Sequence, residues 1–168
     1  RLENSLPRDN QTYSALCLDN LVENAWTSIR PLAEERGVSL ALHSDEPAPL
    51  LGDQRRLHRA ILNLLDNALR YSPDHSQVEV EILPSGGWWL LSIRDHGPGL
   101  SDKDLSNMFQ RFYRGDPSRA RSNRSGSGLG LAIVQQIAVN HGGRIQARNH
   151  PEGGTNVELL LPKGGQAA

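Results

Sequence analysis

Two pairs of adjacent strands in the second half of the sequence limit the folds that this chain can adopt. Residues 77–94 alternate apolar and polar side chains around a Pro-Ser-Gly-Gly turn, and residues 144–149 and 155–161 do so around Pro151-Glu152-Gly153-Gly154. Strands joined by such short turns run antiparallel. Helical segments separate the two pairs and precede the first. The order predicts an α+β fold whose mixed sheet carries helices on one face, and it argues against a doubly wound parallel sheet.

In the first helical segment, apolar residues recur at helical spacing from position 18 onward. Asn20 and Glu23 have the spacing of a capping box, which predicts that the helix begins there. Gly37 supplies a stop signal. Pro31 lacks the amide hydrogen that the helix ladder uses, so we expect it to kink the helix or to end its regular part early.

Two further helices and two short strands complete the pattern. Asp53 has the position of an N-cap for a helix that ends before Pro73. A third helix closes at His141-Gly142-Gly143. Residues 12–18 and 38–42 are predicted strands.

The length, net charge and composition of the chain predict one domain without a nucleic-acid or membrane partner. A chain of 168 residues is long enough for one domain with its own core. Its net charge of −1 provides no global field that would steer nucleic acid or anionic membranes. No apolar run approaches the ~18 residues of a membrane span. The single cysteine, Cys17, cannot form an internal disulfide, which favours a reducing, cytoplasmic setting.

Two asparagines and an arginine share one side of the second helix. At about 100° per residue, Asn63, Asn67 and Arg70 fall within about 60° of one another, opposite the apolar side. An Asn side chain can give a hard cation its carbonyl oxygen while its NH₂ group reaches a phosphate. The stripe indicates a site for Mg²⁺ and phosphate. A solvated helix face is the alternative that this helix alone leaves open.

Two glycine-containing segments have features of nucleotide-binding loops. In Asp95-His96-Gly97-Pro98-Gly99, the carboxylate can accept a hydrogen bond from an exocyclic amine, and the glycines let a ring approach the backbone. Taken alone, a tight turn is the simpler interpretation. The segment 126–131 opens the third helix, and its alternate glycines free backbone N–H groups to surround phosphate oxygens. It lacks the Lys-Ser/Thr ending of a P-loop.

Five arginines precede the second of these segments: Arg111, Arg114, Arg119, Arg121 and Arg124. Such a cluster could grip phosphates, bind nucleic acid or belong to a solvated, mobile loop. No aromatic residues are interleaved after Tyr113, which weakens the case for nucleic acid. A mobile loop is compatible with a lid over a nucleotide, which we place at about residues 101–128.

In this order and spacing, the segments resemble the catalytic, ATP-binding domain of sensor histidine kinases, part of the GHKL superfamily that includes gyrase, Hsp90 and MutL. The similarity runs from about residue 53 to 162 and covers the N box (63–73), the G1 box (95–100), the F box (108–114), the G2 box (126–131) and the G3 turn (153–155). It implies a two-layer α/β sandwich, the Bergerat fold. This fold has a mixed, mostly antiparallel sheet of about five strands, three helices and a mobile ATP lid, here within residues 11–163.

The resemblance assigns roles in phosphate and metal binding. Asn67 is similar to the Asn that coordinates Mg²⁺, and Asn63 to its partner near the phosphates. Arg70 matches a basic position that reaches the phosphates, and Arg114 matches a lid arginine near the γ-phosphate. The resemblance therefore makes Asn63, Asn67 and Arg114 the expected catalytic residues.

It also assigns the adenine end of the site. Tyr71 matches a residue that lies against adenine, and Asp95 matches the carboxylate that recognises its amino group, which favours ATP over GTP. Thr155 is expected to support Asp95 through water, while Phe109 and Phe112 anchor the lid. The remaining expected nucleotide-binding residues are Gly97, Gly99, Leu100, Gly126, Ser127, Gly128, Leu129, Gly130 and Leu131, together with Phe112 and Thr155.

Asn63 also bears on the reaction type. Gyrase, Hsp90, MutL and the related serine kinases carry a Glu at this position, where it activates water or a hydroxyl. An amide cannot act as a general base, whereas a histidine acceptor is already a good nucleophile near neutral pH. The position therefore favours transfer to histidine over fast hydrolysis.

None of the six histidines has the His-Glu/Asp-x-x-x-Pro setting of the family's phosphoacceptor. The resemblance thus predicts a catalytic domain that donates the γ-phosphate to a histidine on a dimerisation domain outside this chain, for relay to a response-regulator receiver domain. Residues 1–10 resemble the end of that dimerisation helix, and 164–168 form an expected flexible tail. We expect a monomeric isolated domain and a homodimeric full protein.

Two alternatives remain open at this point. The first is a nucleotide-dependent binding module without kinase activity, against which the intact set of Asn63, Asn67 and Asp95 argues. The second is the ATPase clamp of a larger machine, which Asn63 and the small size disfavour.

Overall fold

The computed structural model describes residues 12–45, 47–111, 113 and 130–164. The helices and strands within these ranges are β1 (Tyr13–Cys17), α1 (Leu18–Glu35), β2 (Ser39–Ser44), β3 (Pro49–Asp53), α2 (Gln54–Tyr71), β4 (Gln77–Ser85), β5 (Trp88–Arg94), α3 (Asp102–Asn107), α4 (Gly130–Asn140), β6 (Arg144–Asn149) and β7 (Thr155–Pro162). No helix within these ranges is both long and apolar enough to cross a membrane.

A five-stranded sheet forms one layer of the domain. Its strand order is β2-β4-β5-β7-β6. β2 pairs parallel with β4, and every other neighbouring pair in this sheet is antiparallel. The pairs β4–β5 and β6–β7 are the two predicted hairpins, so the predicted mixed, mostly antiparallel sheet is confirmed.

The long helices cover one face of this sheet, with α2 in contact with both α1 and α4. Alternate side chains of the central strands, such as Val80 and Leu91, are buried beneath them. Two consecutive tryptophans show the same alternation. Trp89 is buried and donates its indole N–H to the Pro49 carbonyl at 2.8 Å, whereas Trp88 on the other face is exposed.

Two elements lie outside the prediction. β3 pairs antiparallel with β1 in a separate two-stranded sheet, with Tyr13 opposite Asp53. The short helix α3 begins after Ser101, whose hydroxyl accepts a hydrogen bond from the amide of Asp104 at 3.1 Å. The described residues therefore contain four helices where three were predicted.

The start of α1 differs from the capping-box prediction. The helix begins at Leu18 instead of Asn20, and its N-cap residue Cys17 provides no side-chain hydrogen bond. The Leu18 amide instead donates to the carbonyl of Ala48, at 2.9 Å. A contact with a loop distant in sequence thus replaces the local cap.

The helix α1 does not end early at Pro31 but continues past this residue to Glu35, while the kink expected as the alternative stays a prediction. Ala33 beyond it is fully buried, and packing in the core outweighs the missing amide hydrogen. Gly37 stops the helix as predicted. Its φ is 70°, and the amides of Gly37 and Val38 donate to the carbonyls of Glu34 and Ala33, which is a Schellman motif.

Several predicted features lie outside the described residues. These are the segment 1–10, the part of the lid between 114 and 128, and the tail from 165 to 168.

Candidate functional site

The asparagine stripe occupies the half-buried side of α2. Asp53 caps this helix as predicted, since its carboxylate accepts a hydrogen bond from the Arg56 amide at 3.1 Å. The side packed on the sheet is fully apolar and buried. Asn63, Asn67 and Arg70 are each only partly buried, so the stripe stays accessible beside the core. The sequence assignment of the two sides of α2 is correct.

Asn63 joins α2 to the start of α4. Its side-chain Nδ2 donates a hydrogen bond to the carbonyl oxygen of Gly130 at 3.1 Å. Gly130 is the first residue of α4, and Leu131 follows it, partly buried against the core. The structure therefore brings together two motifs that are far apart in sequence.

Arg70 lies along the helix and pairs with Asp66 one turn earlier, with 3.1 Å between Nη2 and Oδ2. Its Nε is buried and has no hydrogen-bond partner among the described residues. The side chain of Asn67 makes no hydrogen bond within the same ranges. A buried donor without an acceptor costs about 1–3 kcal/mol. The partly exposed amide of Asn67 and guanidinium of Arg70 give this side of α2 hydrogen-bonding groups that a ligand can reach.

Asp95 is the most strongly held of the predicted residues. It is 4% exposed, and its Oδ1 accepts the amide hydrogens of Gly97 at 2.8 Å and Thr155 at 3.3 Å. The Asp95 amide donates in turn to the Thr155 carbonyl at 3.1 Å. Thr155 thus supports Asp95 by direct backbone contacts, and the expected link through water stays a prediction.

Burial raises the pKa of the Asp95 carboxyl, although the hydrogen bonds from Gly97 and Thr155 and the charges of His96 and Arg94 oppose this shift. The hydrogen bonds from Gly97 and Thr155 both go to Oδ1, and neither goes to Oδ2. Oδ2 is thus an acceptor in a low-dielectric setting, where a hydrogen bond from a ligand N–H group is strong.

The glycines around Asp95 are required by contacts within the protein. A Cβ atom at Gly97 would overlap the carbonyl oxygen of Tyr71, the last residue of α2. A Cβ atom at Gly154 would overlap the carbonyl oxygen of Asp95, and Gly154 has a φ of 85°. The turn after β5 is therefore wedged between the end of α2 and the β6–β7 turn. From the sequence alone, the approach of a ring is the reason expected for these glycines.

The stripe and this turn form one continuous site along α2. Asn63 and Tyr71 are eight residues apart, which corresponds to about 12 Å along the helix axis. The start of α4 lies at one end of this distance, and Gly97 with Asp95 lies at the other.

The described part of the lid has two anchors. Phe109 is partly buried and packs against the core, as predicted. The hydroxyl of Tyr113 donates to the buried carboxylate of Asp104 on α3. Other predicted site residues lie outside the described residues, namely Phe112, Arg114, Gly126, Ser127, Gly128 and Leu129.

Two residues with specific side-chain contacts, of which only Asn149 lies beside the site, are not identified from the sequence. The carboxamide of Asn149, the last residue of β6, bonds both backbone groups of Leu100. The buried imidazole of His141 accepts the Asp53 amide hydrogen on Nε2 at 3.0 Å, so its Nδ1 carries the proton and donates to the Ile137 carbonyl at 2.9 Å. The only signal for His141 is its position in the helix stop at 141–143.

The residues present fit a magnesium nucleotide. Among the described residues no group of three or more His, Cys, Asp or Glu could hold a metal by itself. Asn67 offers one amide oxygen, and a hard cation such as Mg²⁺ commonly takes its other ligands from phosphates and water. The partly exposed guanidinium group of Arg70 suits a phosphate oxygen, and Oδ2 of Asp95 suits an exocyclic amine.

Comparison with known proteins gives a consistent result. The sequence profile described as histidine kinase-, DNA gyrase B- and HSP90-like ATPase matches residues 52–165. The sensor protein SphS of Synechococcus elongatus is 44% identical over an alignment of 169 positions, which covers 97% of this chain and 41% of SphS. The chain thus spans about two fifths of the length of this curated relative.

Two solved structures are similar over nearly the whole chain. The mycobacterial sensor histidine kinase MprB has a TM-score of 0.79 and 31% identity, covering 92% of this chain and 100% of that one. Full-length ShkA in complex with AMPPNP has a TM-score of 0.77 and 25% identity, covering 94% of this chain and 32% of that one.

Proposed function

Because the chain belongs to the family of histidine kinase-, DNA gyrase B- and HSP90-like ATPases, we propose that it binds one ATP with Mg²⁺ along α2, between the start of α4 and the turn at residues 95–100. The observation that carries this proposal is the geometry of Asp95. Backbone amides fix its Oδ1, so Oδ2 faces a ligand as an acceptor only. The amino group of adenine is a matching donor, whereas guanine has a carbonyl oxygen at the corresponding position.

The opposite end of the site would hold the phosphates. Asn67 would bind Mg²⁺ through its amide oxygen, and Arg70 would reach a phosphate oxygen with its partly exposed guanidinium group. Asn63 holds the first turn of α4, whose N-terminal amides favour an anion. Arg114 and the glycines at 126, 128 and 130 would complete the phosphate site. Mg²⁺ would neutralise charge on the phosphates, while the protein positions them.

The proposed reaction is transfer of the γ-phosphate to a histidine. SphS is named a sensor protein and MprB a sensor histidine kinase, and the ShkA complex contains a nucleotide analogue. Asn63 supports transfer over hydrolysis, because its amide donates to Gly130 and cannot remove a proton from water. His141 is buried and both of its ring nitrogens make hydrogen bonds, so it is not the histidine that receives the phosphoryl group. The acceptor would lie on a dimerisation domain of the same protein.

The wider setting follows from this proposal. The catalytic domain would extend over residues 11–163, with 1–10 as the end of the dimerisation helix. The phosphohistidine would pass its phosphoryl group to a response-regulator receiver domain. We place the domain in the cytoplasm, monomeric by itself and homodimeric within the full protein. No specific observation favours a binding module without kinase activity, since Asn63, Asn67 and Asp95 are all present.

Calorimetric titration with ATP, with and without Mg²⁺, tests the site. The intact chain should bind with a Kd between about 1 µM and 1 mM. Asn67→Ala should remove most of the Mg²⁺ dependence. In Asp95→Asn, Oδ1 still accepts both backbone amides, so the new NH₂ group must face the adenine amino group, and binding should weaken at least about tenfold.

Matched controls isolate the site. Asn24→Ala on the exposed side of α1 and Asp45→Asn in an exposed bend repeat the chemical changes elsewhere, and both should bind like the wild type. Absence of binding by the intact chain would refute the nucleotide site. If the chain binds ATP but no phosphoryl group reaches an added dimerisation domain from a close relative, the kinase assignment is wrong and the binding module replaces it.

A further inference from the structure

Asn149 holds the backbone of Leu100 with both ends of its carboxamide. Its Oδ1 accepts the Leu100 amide hydrogen at 2.8 Å, and its Nδ2 donates to the Leu100 carbonyl at 2.8 Å. One side chain thus replaces the pair of hydrogen bonds that a neighbouring strand would supply. Asn149 itself is the last residue of β6, where it lies opposite Thr155 in register.

The residue before Leu100 is shaped by the same contact. Gly99 has a φ of 83°, a conformation that favours glycine. A Cβ atom at this position would lie 3.0 Å from Oδ1 of Asn149, so a larger residue would press on the carboxamide. The sequence around Leu100 is thus fitted to Asn149, although the two residues are 49 positions apart.

The turn between β5 and α3 has two separate attachments. At its start, Asp95 holds the amide of Gly97, and Thr155 holds the amide of Asp95. At its end, the hydrogen bonds from Asn149 hold Leu100. Both attachments lead to the turn end of one hairpin, β6–β7. Residues 97–100 thus lie between two fixed points, next to the Asp95 carboxylate.

We propose that Asn149 is a positioning residue for the nucleotide, because it fixes the backbone of Gly99 and Leu100 at the adenine end of the site. This inference rests on the proposed ATP site. Asn149 itself would not touch the ligand. Its contribution would be preorganisation, since a turn that is already held loses less conformational entropy when the nucleotide binds.

The chemistry of the contact requires a carboxamide. Aspartate could still accept the Leu100 amide hydrogen, but when ionised it has no donor for the Leu100 carbonyl, and its second oxygen would repel that carbonyl. A protonated aspartate has one donor and one acceptor, like asparagine. The variant Asn149→Asp should therefore be defective at neutral pH and recover as pH falls toward the carboxyl pKa of about 3.9.

The test combines Asn149→Ala and Asn149→Asp in the full chain. We expect Asn149→Ala to weaken Mg-ATP binding about 3- to 10-fold at a temperature where the variant is fully folded, because it removes two hydrogen bonds without adding charge. Amide exchange at Leu100 should accelerate in Asn149→Ala and stay slow in Asn149→Asp, which keeps the acceptor. Thermal unfolding of each variant is measured in parallel.

The pH profile separates positioning from a general loss of stability or a charge effect. The ratio of the Asn149→Asp Kd to the wild-type Kd should fall toward one between pH 7 and about pH 4.5, whereas the Asn149→Ala ratio should stay constant. Asn24→Asp on the exposed side of α1 makes the same charge change away from the turn and should bind like the wild type at every pH.

Each outcome is decisive. Wild-type affinity in Asn149→Ala would overturn the inference even if Asn149→Asp is defective, because the defect would then be charge repulsion. A loss of affinity that merely follows the unfolded fraction would overturn it as well. No binding by the wild-type chain would instead refute the proposed ATP site and, with it, the role of Asn149.

Discussion

The side-chain amide of Asn63 donates a hydrogen bond to the carbonyl oxygen of Gly130, 67 residues further along the chain. The bond joins the middle of α2 to the first residue of α4. A helix N-terminus is where backbone amides are available to an anion. The residue assigned to the phosphates by sequence therefore also fixes the position of the helix N-terminus that we propose as a second phosphate-binding element.

Replacement of Asn63 should separate these two roles. Asn63→Ala removes the bond to Gly130 and should lower the free energy of unfolding by about 0.5–1.5 kcal/mol. Asn63→Asp should be more harmful, because a carboxylate would face the Gly130 carbonyl and the nucleotide phosphates. Urea denaturation and ATP titration measure the two effects. Asn63→Asp with wild-type stability and affinity would contradict the contact, and Asn24→Asp is the control for charge.

The stability of the chain should depend on pH through Asp95. Burial raises the pKa of Asp95 in the folded state above its unfolded value of 3.8. The folded state thus binds the proton more tightly, so the stability from this group is present below pH about 3.8 and is lost as pH rises through the raised pKa. Asp95→Asn cannot ionise. Its unfolding free energy should exceed that of the wild type at pH 7, and the difference should shrink toward pH 4.

Measurements in this pH series should stop near pH 4, because the stability contributed by Asp53 depends on pH in the opposite direction. Burial opposes its ionisation, but hydrogen bonds from Arg56 and Thr12 and the charge of Arg56 hold its pKa below the usual value of 3.8. Its contribution is present above that value and is lost as pH falls through the lowered pKa. Asp45→Asn is the exposed control. A constant difference between Asp95→Asn and the wild type would show that the carboxyl is not buried.

His141 should stabilise the fold mainly as a hydrogen-bond acceptor. Its ring stacks on Tyr13, with centroids 5.1 Å apart, and its Nε2 receives the buried amide of Asp53. His141→Phe keeps an aromatic ring but leaves that amide without an acceptor, so the free energy of unfolding should fall by about 1–3 kcal/mol. Denaturant titration measures this loss. His43→Ala on the exposed edge strand should change it by less than about 0.5 kcal/mol.

Gly154 should tolerate no side chain. In Gly154→Ala the added methyl group would overlap the Asp95 carbonyl, and φ is 85°, so we expect a loss of at least about 2 kcal/mol. Gly87→Ala, at the other hairpin turn, has no atom within 4 Å of the added methyl group and should be nearly neutral. Equal denaturation midpoints for the two variants would rule out the close contact between Gly154 and Asp95.

Elements with strong local signals were predictable from the sequence. The amphipathic pattern of α2, its cap at Asp53 and both hairpins are confirmed because periodicity and turn residues agree there. The family profile matches residues 52–165, close to the similarity expected from about 53 to 162. Similar kinase structures confirm the expected two-layer Bergerat fold.

The misses come from contacts between distant segments. β3 is a five-residue strand that begins with Pro49 and contains Gly52, and only its pairing with β1 makes it a strand. The start of α1 depends on the Ala48 carbonyl, and the role of Asn149 depends on Leu100. No local pattern encodes such partners. The roles of Asn67, Arg70 and Tyr71 toward a nucleotide stay predictions.

The strand order also constrains the sequence of events in folding. The hairpins β4–β5 and β6–β7 are local, whereas the parallel pairing of β2 with β4 can form only after the chain has crossed over through α2. We expect the hairpins to form early and β2 to dock last, at the edge of the sheet. Since α2 lies in that crossover, its contacts with Gly130 and with Gly97, which mark the two ends of the proposed nucleotide site, are also non-local, and the site would form only after α2 has packed onto segments that follow it in the sequence.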